Sequence, residues 1–165
     1  MGTSDWNRFT LKGNFNANVQ ALYHVWTTQK GLEWWFLRSA LFYAPTGEQR
    51  APGESVKKGD TYTWMWHGYD DEVFEKGTVL EANGKDLFQF TFTGGCIVTI
   101  AFKEEGEITM VELTQEKIPT ESDPAKNLYV QCSIGWTFYL ANLKSLVEGG
   151  KDLRNKEVTV ASVFK

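Results

Sequence analysis

Apolar and polar residues alternate along the middle of the chain, from about residue 38 to residue 116. A period of two is typical of β-strands that bury one face. Short turn sequences interrupt the alternation at Pro45-Thr46-Gly47, Gly68–Asp71, Ala82–Lys85, Gly94-Gly95 and Glu105–Glu107. Because tight turns join antiparallel neighbours, this region is predicted to form an antiparallel meander.

The alternation also assigns a buried face to the strands. Large rings fall on one side of two of the predicted strands, at Tyr62, Trp64, Trp66, Phe88, Phe90 and Phe92. The positions between them hold mostly threonine and glutamine, so the sheet needs a cover on its aromatic face only. The predicted strands are Arg8–Phe15, Arg38–Ala44, Asp60–Gly68, Glu72–Glu81, Asp86–Thr93, Cys96–Glu104 and Ile108–Glu116.

Three other stretches have the apolar spacing of helices. Asn16 and Thr28 are predicted to cap two short helices after the first strand, because their side chains accept hydrogen bonds from free helix amides. The last helix is predicted to run from Pro124 to Glu148, with Gly149-Gly150 ending it. At about 1.5 Å per residue, it is long enough to cross a seven-stranded sheet.

Gly135 and Trp136 stand in the middle of this last helix. Glycine inside a helix costs about 1 kcal/mol relative to alanine, so we expect a group packed closely against Gly135. Trp136 begins an apolar stripe that continues through Leu140, Leu143 and Val147. The helix is therefore predicted to cover the aromatic face of the sheet.

Aromatic residues are unusually frequent, with seven Trp, six Tyr and eleven Phe in 165 residues. Such rings fill a core or line a site for an apolar ligand, and the composition leaves both alternatives open. The length suits one domain over residues 1–165, with a core at 6–149 and a tail at 150–165. In the tail, Val158, Val160 and Phe164 are apolar enough to dock on the core.

Charge and residue spacing argue against several classes of function. The net charge of −4 does not favour nucleic-acid binding, and no apolar stretch is long enough to insert into a membrane. Cys96 and Cys132 are isolated and are predicted to be buried thiols in a reducing, cytoplasmic setting. His24 and His67 accompany no nucleophile motif, and no residue spacing predicts a metal or a cofactor.

The order of the predicted elements, together with several motifs, resembles a known superfamily. The motifs are Ala21–Thr28, Gly31–Phe36, Lys58–Trp64, Gly77–Val79, Asp86–Phe92 and, above all, Gly135-Trp136-Thr137-Phe138-Tyr139-Leu140-Ala141-Asn142-Leu143-Lys144. Over about residues 6–148 the chain is similar to the START-like (SRPBCC) superfamily, and within it to the family named for the activator of the 90-kDa heat-shock-protein ATPase. This resemblance implies an α+β helix-grip fold, in which a curved antiparallel sheet of about seven strands wraps around a long C-terminal helix.

The resemblance also implies a function class, because superfamily relatives commonly hold lipids, sterols, hormones or polyketides between the sheet and the last helix. Our first hypothesis is a non-enzymatic domain that binds a small apolar or amphipathic ligand there, with Trp34 and Trp35 at the entrance. The predicted cavity residues are Trp35, Tyr62, Trp64, Trp66, Phe88, Phe90, Phe92, Tyr129, Cys132, Trp136 and Tyr139.

Two other hypotheses remain. The first is a protein-interaction module with a filled core, such as a stand-alone co-chaperone. The namesake co-chaperone contacts its partner largely through a separate N-terminal domain, which this sequence is expected to lack. The second is an enzyme of the cyclase or hydrolase type, which would need a buried polar residue with a shifted pKa among the rings.

Overall fold

The computed structural model describes residues 6–157 and residue 159. Its strands are β1 (Phe9–Phe15), β2 (Ser39–Tyr43), β3 (Thr61–Met65), β4 (Phe74–Ala82), β5 (Leu87–Phe92), β6 (Cys96–Glu105) and β7 (Ile108–Glu116). They form one curved antiparallel sheet in the order β1-β7-β6-β5-β4-β3-β2. The helices are α1 (Val19–Thr27), α2 (Gln29–Trp35) and α3 (Leu128–Val147). The predicted α+β helix-grip fold is therefore confirmed.

The register of the strands places the large rings on the concave side. Trp64 on β3 pairs with Glu75 on β4, and Phe90 on β5 pairs with Val98 on β6. Trp64, Phe90 and Val98 are each at most 1% exposed. Since paired residues point to the same face, Glu75 lies on the aromatic side of the sheet.

The two short helices connect the edge strands β1 and β2. The side-chain oxygen of Asn18 accepts a hydrogen bond from the amide of Ala21 at 2.7 Å, so Asn18, rather than the predicted Asn16, caps α1. Asn16 lies two residues before this cap, in non-helical chain. The free amides in the first turn of α1 reach only the side chain of the residue that directly precedes the helix. Thr28 caps α2 as predicted, with a 3.0 Å hydrogen bond from Gly31.

The last helix is shorter than predicted at its N-terminal end. Pro124 lies in a turn, and the helix starts after Asn127, whose side chain accepts a hydrogen bond from Val130. Asp123 accepts a bond from Ala125 within that turn and does not cap the helix. At the other end, Gly149 has a φ of +84°, which supports the predicted glycine stop.

Helix α3 is held against the sheet and α2 by a few large contacts. The Trp136 ring stacks on Phe36 with centroids 5.0 Å apart, and its indole N–H donates to Gln115 Oε1 on β7 at 2.9 Å. Further along the helix, Leu140 and Leu143 are buried. Helix α3 therefore covers the aromatic face, and none of the helices described here is long and apolar enough to cross a membrane.

Part of the predicted tail packs on the core. The Arg154 side chain is only 4% exposed, and its guanidinium donates hydrogen bonds to the carbonyls of Glu33, Trp34 and Leu37 at the end of α2. Burial alone would raise the pKa of Asp152, but hydrogen bonds from Arg154 hold that pKa well below its usual value. The apolar tail residues Val158, Val160 and Phe164 lie outside the described residues.

Replacing Arg154 by Met should therefore destabilise the domain by about 2–4 kcal/mol, because three backbone carbonyls and a carboxylate lose a buried donor. Urea unfolding followed by circular dichroism measures this change. Lys156→Met is the matched control, since Lys156 contacts the same Asp152 at 3.2 Å but is 54% exposed. It should change stability by less than about 1 kcal/mol. Equal losses in the two variants would contradict a structural role for the buried guanidinium.

Candidate functional site

A cavity of about 320 Å³ lies beside the N-terminal half of α3. The loop that follows β3, the start of β4 and the end of β5 form its other walls, and exposed Val73 and Phe74 stand at its mouth. We call it the α3 pocket. Its lining residues are Phe36, Trp66, Tyr69, Val73, Phe74, Glu75, Phe92, Thr93, Leu128, Gln131, Cys132, Gly135, Trp136 and Tyr139.

Some of the residues predicted for a cavity come together in this pocket, and others do not. Five of them line it: Trp66, Phe92, Cys132, Trp136 and Tyr139. Five others, Trp35, Tyr62, Trp64, Phe88 and Phe90, are at most 1% exposed and pack in the core. The eleventh, Tyr129, lies against Trp6 and Phe9, with centroids 5.0 and 5.4 Å away.

The space directly beneath the middle of α3 is filled by rings. Trp136 contacts Phe36 on one side and Phe92 on another, with centroids 5.0 and 5.4 Å apart. Tyr139 meets Phe36 edge to face at 4.8 Å, and burial raises the pKa of its hydroxyl to about 12. These contacts make the inner wall of the pocket closely packed and apolar.

Glu75 is the acidic residue in the lining of the α3 pocket. Burial raises the pKa of its carboxyl group, and a hydrogen bond with Thr93 partly offsets that rise. The sequence already indicated that Glu75 faces the aromatic side. Glu75, Gly77 and Val79 are alternate residues of β4 and point to the same face, and Val79 is a typical core residue. An acid in that row must face the aromatic side.

A second polar group lies behind the pocket wall. Gln115 is fully buried, and its Oε1 accepts the hydrogen bond from Trp136. The thiols of Cys96 and Cys132 lie close to this amide, and burial raises the pKa of both. The two thiols therefore stay protonated at neutral pH, and they act as small apolar groups.

The space beside Gly135 is open, whereas we expected a closely packed neighbour. A Cβ atom built at this position has no other atom within 4 Å, and the residue lines the α3 pocket. The expectation was wrong because it assumed that the glycine-bearing side of the helix faces the packed core. It faces the pocket, so the missing side chain adds to the volume of the cavity.

The lining of the α3 pocket contains one acidic side chain, that of Glu75, and no histidine. The described residues contain no group of three His, Cys, Asp or Glu side chains that could hold a metal ion. Glu75 is the kind of buried polar residue that the enzyme hypothesis requires. However, His24 is exposed on α1, and His67 is not among the lining residues. The geometry therefore gives Glu75 no histidine partner for proton transfer.

Comparison with known proteins supports the fold and a family. A family model described as Activator of Hsp90 ATPase homolog 1-like protein matches residues 16–148. Protein SSP2350 from Staphylococcus saprophyticus superposes with a TM-score of 0.70 and 19% identity, over 90% of this chain and 96% of that chain. The Aha1 dimer from Colwellia psychrerythraea gives 0.67 and 16% identity, over 87% and 98%.

A third similar structure is PFC0360w, an HSP90 activator from Plasmodium falciparum, with a TM-score of 0.61 and 14% identity over 86% of this chain and 96% of that chain. Identities this low establish a common fold and nothing more specific. The search of curated proteins gave no match.

Two glycine substitutions should move stability in opposite directions. Gly135→Ala should stabilise the domain by about 0.5–1 kcal/mol, because alanine favours the helix and meets no neighbour. Gly31→Ala, in α2, should destabilise it by more than about 2 kcal/mol, because the added Cβ would lie 2.4 Å from the Val25 backbone. Chemical unfolding of both variants checks the prediction. A loss of stability in Gly135→Ala would show that the helix surface there is closed.

Proposed function

The chain belongs to the family of Activator of Hsp90 ATPase homolog 1-like proteins, and we propose that it is a non-enzymatic domain that binds a small apolar or amphipathic molecule in the α3 pocket. The main support for this proposal is the open space beside Gly135 in the pocket wall. A helix that only covered a core would be more stable with alanine at this position.

The dimensions and lining of the pocket support the same proposal. A volume of about 320 Å³ lies at the lower end of the range of about 300–1,000 Å³ that is usual for ligand sites. Aromatic and aliphatic side chains form most of the wall, while Glu75, Thr93 and Gln131 supply a few polar groups. This combination favours a compact ligand with an apolar body and one polar end.

Filling the pocket from Gly135 tests the proposal directly. In Gly135→Leu the new side chain should occupy the cavity, because its first atom has free space and the pocket lies beyond it. Binding of compounds from an amphiphile and aromatic-metabolite library should then weaken by more than about tenfold. Two-dimensional NMR of the tryptophan indole N–H groups measures affinity and reports on Trp66 and Trp136 at the site.

Ala141→Leu provides the control, because Ala141 is exposed on α3 and does not line the pocket. Ligand affinity in this variant should equal that of the wild type. The proposal fails if no compound shifts the Trp66 or Trp136 resonances of the wild-type protein, or if a compound binds equally well to Gly135→Leu.

A second candidate function is protein interaction through the outer face of α3. This face carries apolar residues at intervals of four, at Val130, Ile134 and Phe138, and Leu153 of the tail lies beside Ile134 and Phe138. Ile134 is 56% exposed and Leu153 is 49% exposed, so this outer face of α3 presents an apolar patch to solvent. Contiguous exposed apolar residues of this kind often mark binding surfaces. The family to which the chain belongs makes a 90-kDa heat-shock protein the first partner to test.

For this second candidate, Ile134→Ser should weaken binding to the purified 90-kDa heat-shock protein by about tenfold or more, because it removes the most exposed apolar side chain of the patch. Isothermal titration calorimetry measures the affinity. Val73→Ser removes a similarly exposed residue at the pocket mouth and should leave this affinity unchanged. Absence of binding by the wild-type chain would eliminate the co-chaperone hypothesis.

A further inference from the structure

Glu75 lies on the aromatic side of the sheet without a cationic neighbour. It pairs with Trp64 across the strands and lines the α3 pocket. No Lys or Arg of the described chain forms a salt bridge with it, although ten such pairs occur elsewhere. Partly buried carboxylates are normally paired, because removing a charge from water is unfavourable unless an opposite charge replaces the solvent.

Aromatic rings surround the same space. Trp66, Phe92 and Trp136 line the pocket together with Phe36 and Tyr139. The faces of such rings carry partial negative charge and attract cations, most strongly where water is excluded. A carboxylate beside several rings is therefore a chemical environment that favours an organic ammonium ion. A neutral apolar ligand would cover Glu75 further without compensating its charge.

We propose that the α3 pocket takes a small organic ammonium ion, with its cationic group beside Glu75 and its apolar body against Trp66, Phe92 and Trp136. This inference rests on the proposed ligand-binding function and specifies the chemical class of the ligand. The net charge of −4 on the chain also favours a cationic ligand over an anionic one.

Protonation provides a second consequence of this arrangement. Burial raises the pKa of Glu75 above its ordinary value, whereas a bound cation would lower it again. Affinity for a cation should therefore be lost as pH falls through the titration of Glu75 and be restored at higher pH. The other titratable groups that interact with Glu75 remain neutral over this range, since burial raises the pKa of each: Tyr62 on β3, Cys96 on β6 and Cys132 on α3.

Two further titratable groups lie at this end of the sheet, in the loop after β3. Tyr69 lines the pocket, and burial raises its pKa, so it also stays neutral. Burial lowers the pKa of His67, and Arg154, Lys156 and Arg38 lower it further. His67 does not line the pocket. Its protonation would therefore change the affinity for a cationic ligand only through long-range repulsion, and it would leave the affinity for a neutral ligand unchanged.

A matched pair of probes separates the cationic charge from the apolar shape. Benzyltrimethylammonium and neopentylbenzene have the same outline, but only the first is charged. We expect benzyltrimethylammonium to bind the wild-type chain about tenfold more tightly at neutral pH. In Glu75→Gln this preference should disappear, while neopentylbenzene binds as before or better. NMR titration of the Trp66 and Trp136 indole N–H groups gives both dissociation constants.

Glu81→Gln is the matched control, because it removes the same charge from the same strand at a surface ion pair with Lys58. It should keep the tenfold preference. Measurements on the wild-type protein at several pH values give a test that needs no variant: affinity for benzyltrimethylammonium should weaken on acidification, and affinity for neopentylbenzene should not.

The possible outcomes distinguish the two proposals. Equal affinities of the wild type for the two probes would overturn the ammonium proposal and leave the apolar pocket intact. A preference that persists in Glu75→Gln, or that weakens equally in Glu81→Gln, would show that the overall negative charge attracts the cation. If neither probe perturbs Trp66 or Trp136, both the ammonium proposal and the ligand-binding function from which it follows are wrong.

Discussion

The position of α3 depends above all on Trp136. Its indole N–H donates to the buried side chain of Gln115 on β7, and its ring stacks on Phe36 just after α2. One residue thereby joins the last helix, the sheet and the connection between the edge strands. A buried hydrogen bond fixes the rotation of the ring, while contacts with Phe36 and Phe92 cover its apolar surface. The helix can therefore be fixed at its middle without being closely packed along its whole length.

The two halves of α3 differ as a result. Leu140, Leu143 and Asn142 are buried in the second half, and Asn142 accepts a hydrogen bond from Leu153 of the tail while donating to the carbonyl of Trp35. The first half has fewer such contacts, and Gly135 offers no side chain to fill the space beside it. The pocket therefore lies beside the half of α3 that has fewer buried side chains, and the rings around Trp136 form its inner wall.

The sequence was sufficient to predict the seven strands, the order of the helices and the inward direction of Trp64 and Phe90, because a period of two leaves little freedom in a half-buried strand. The start of α3 was predicted too early, since Asp123 and Pro124 form a local turn that has the same composition as a helix start. The location of the pocket could not be predicted. Alternation shows that Phe90 and Phe92 face inward, but only the curvature of the sheet determines that Phe92 borders a cavity while Phe90 is covered.

Two departures from simple stability rules occur in the wall of the same cavity. Gly135 weakens a helix without allowing any closer packing, and Glu75 places a carboxyl group on an otherwise aromatic face without a cation beside it. Alanine at the first position and glutamine at the second would each satisfy local preferences better. Elsewhere the helices are capped and Arg154 is paired with Asp152, while the aromatic core leaves the indole N–H groups of Trp26 and Trp64 without a partner among the described atoms. At both positions a bound ligand would supply the volume or the charge that the folded chain leaves out, and this wall is therefore the part of the molecule on which the ligand-binding proposal rests.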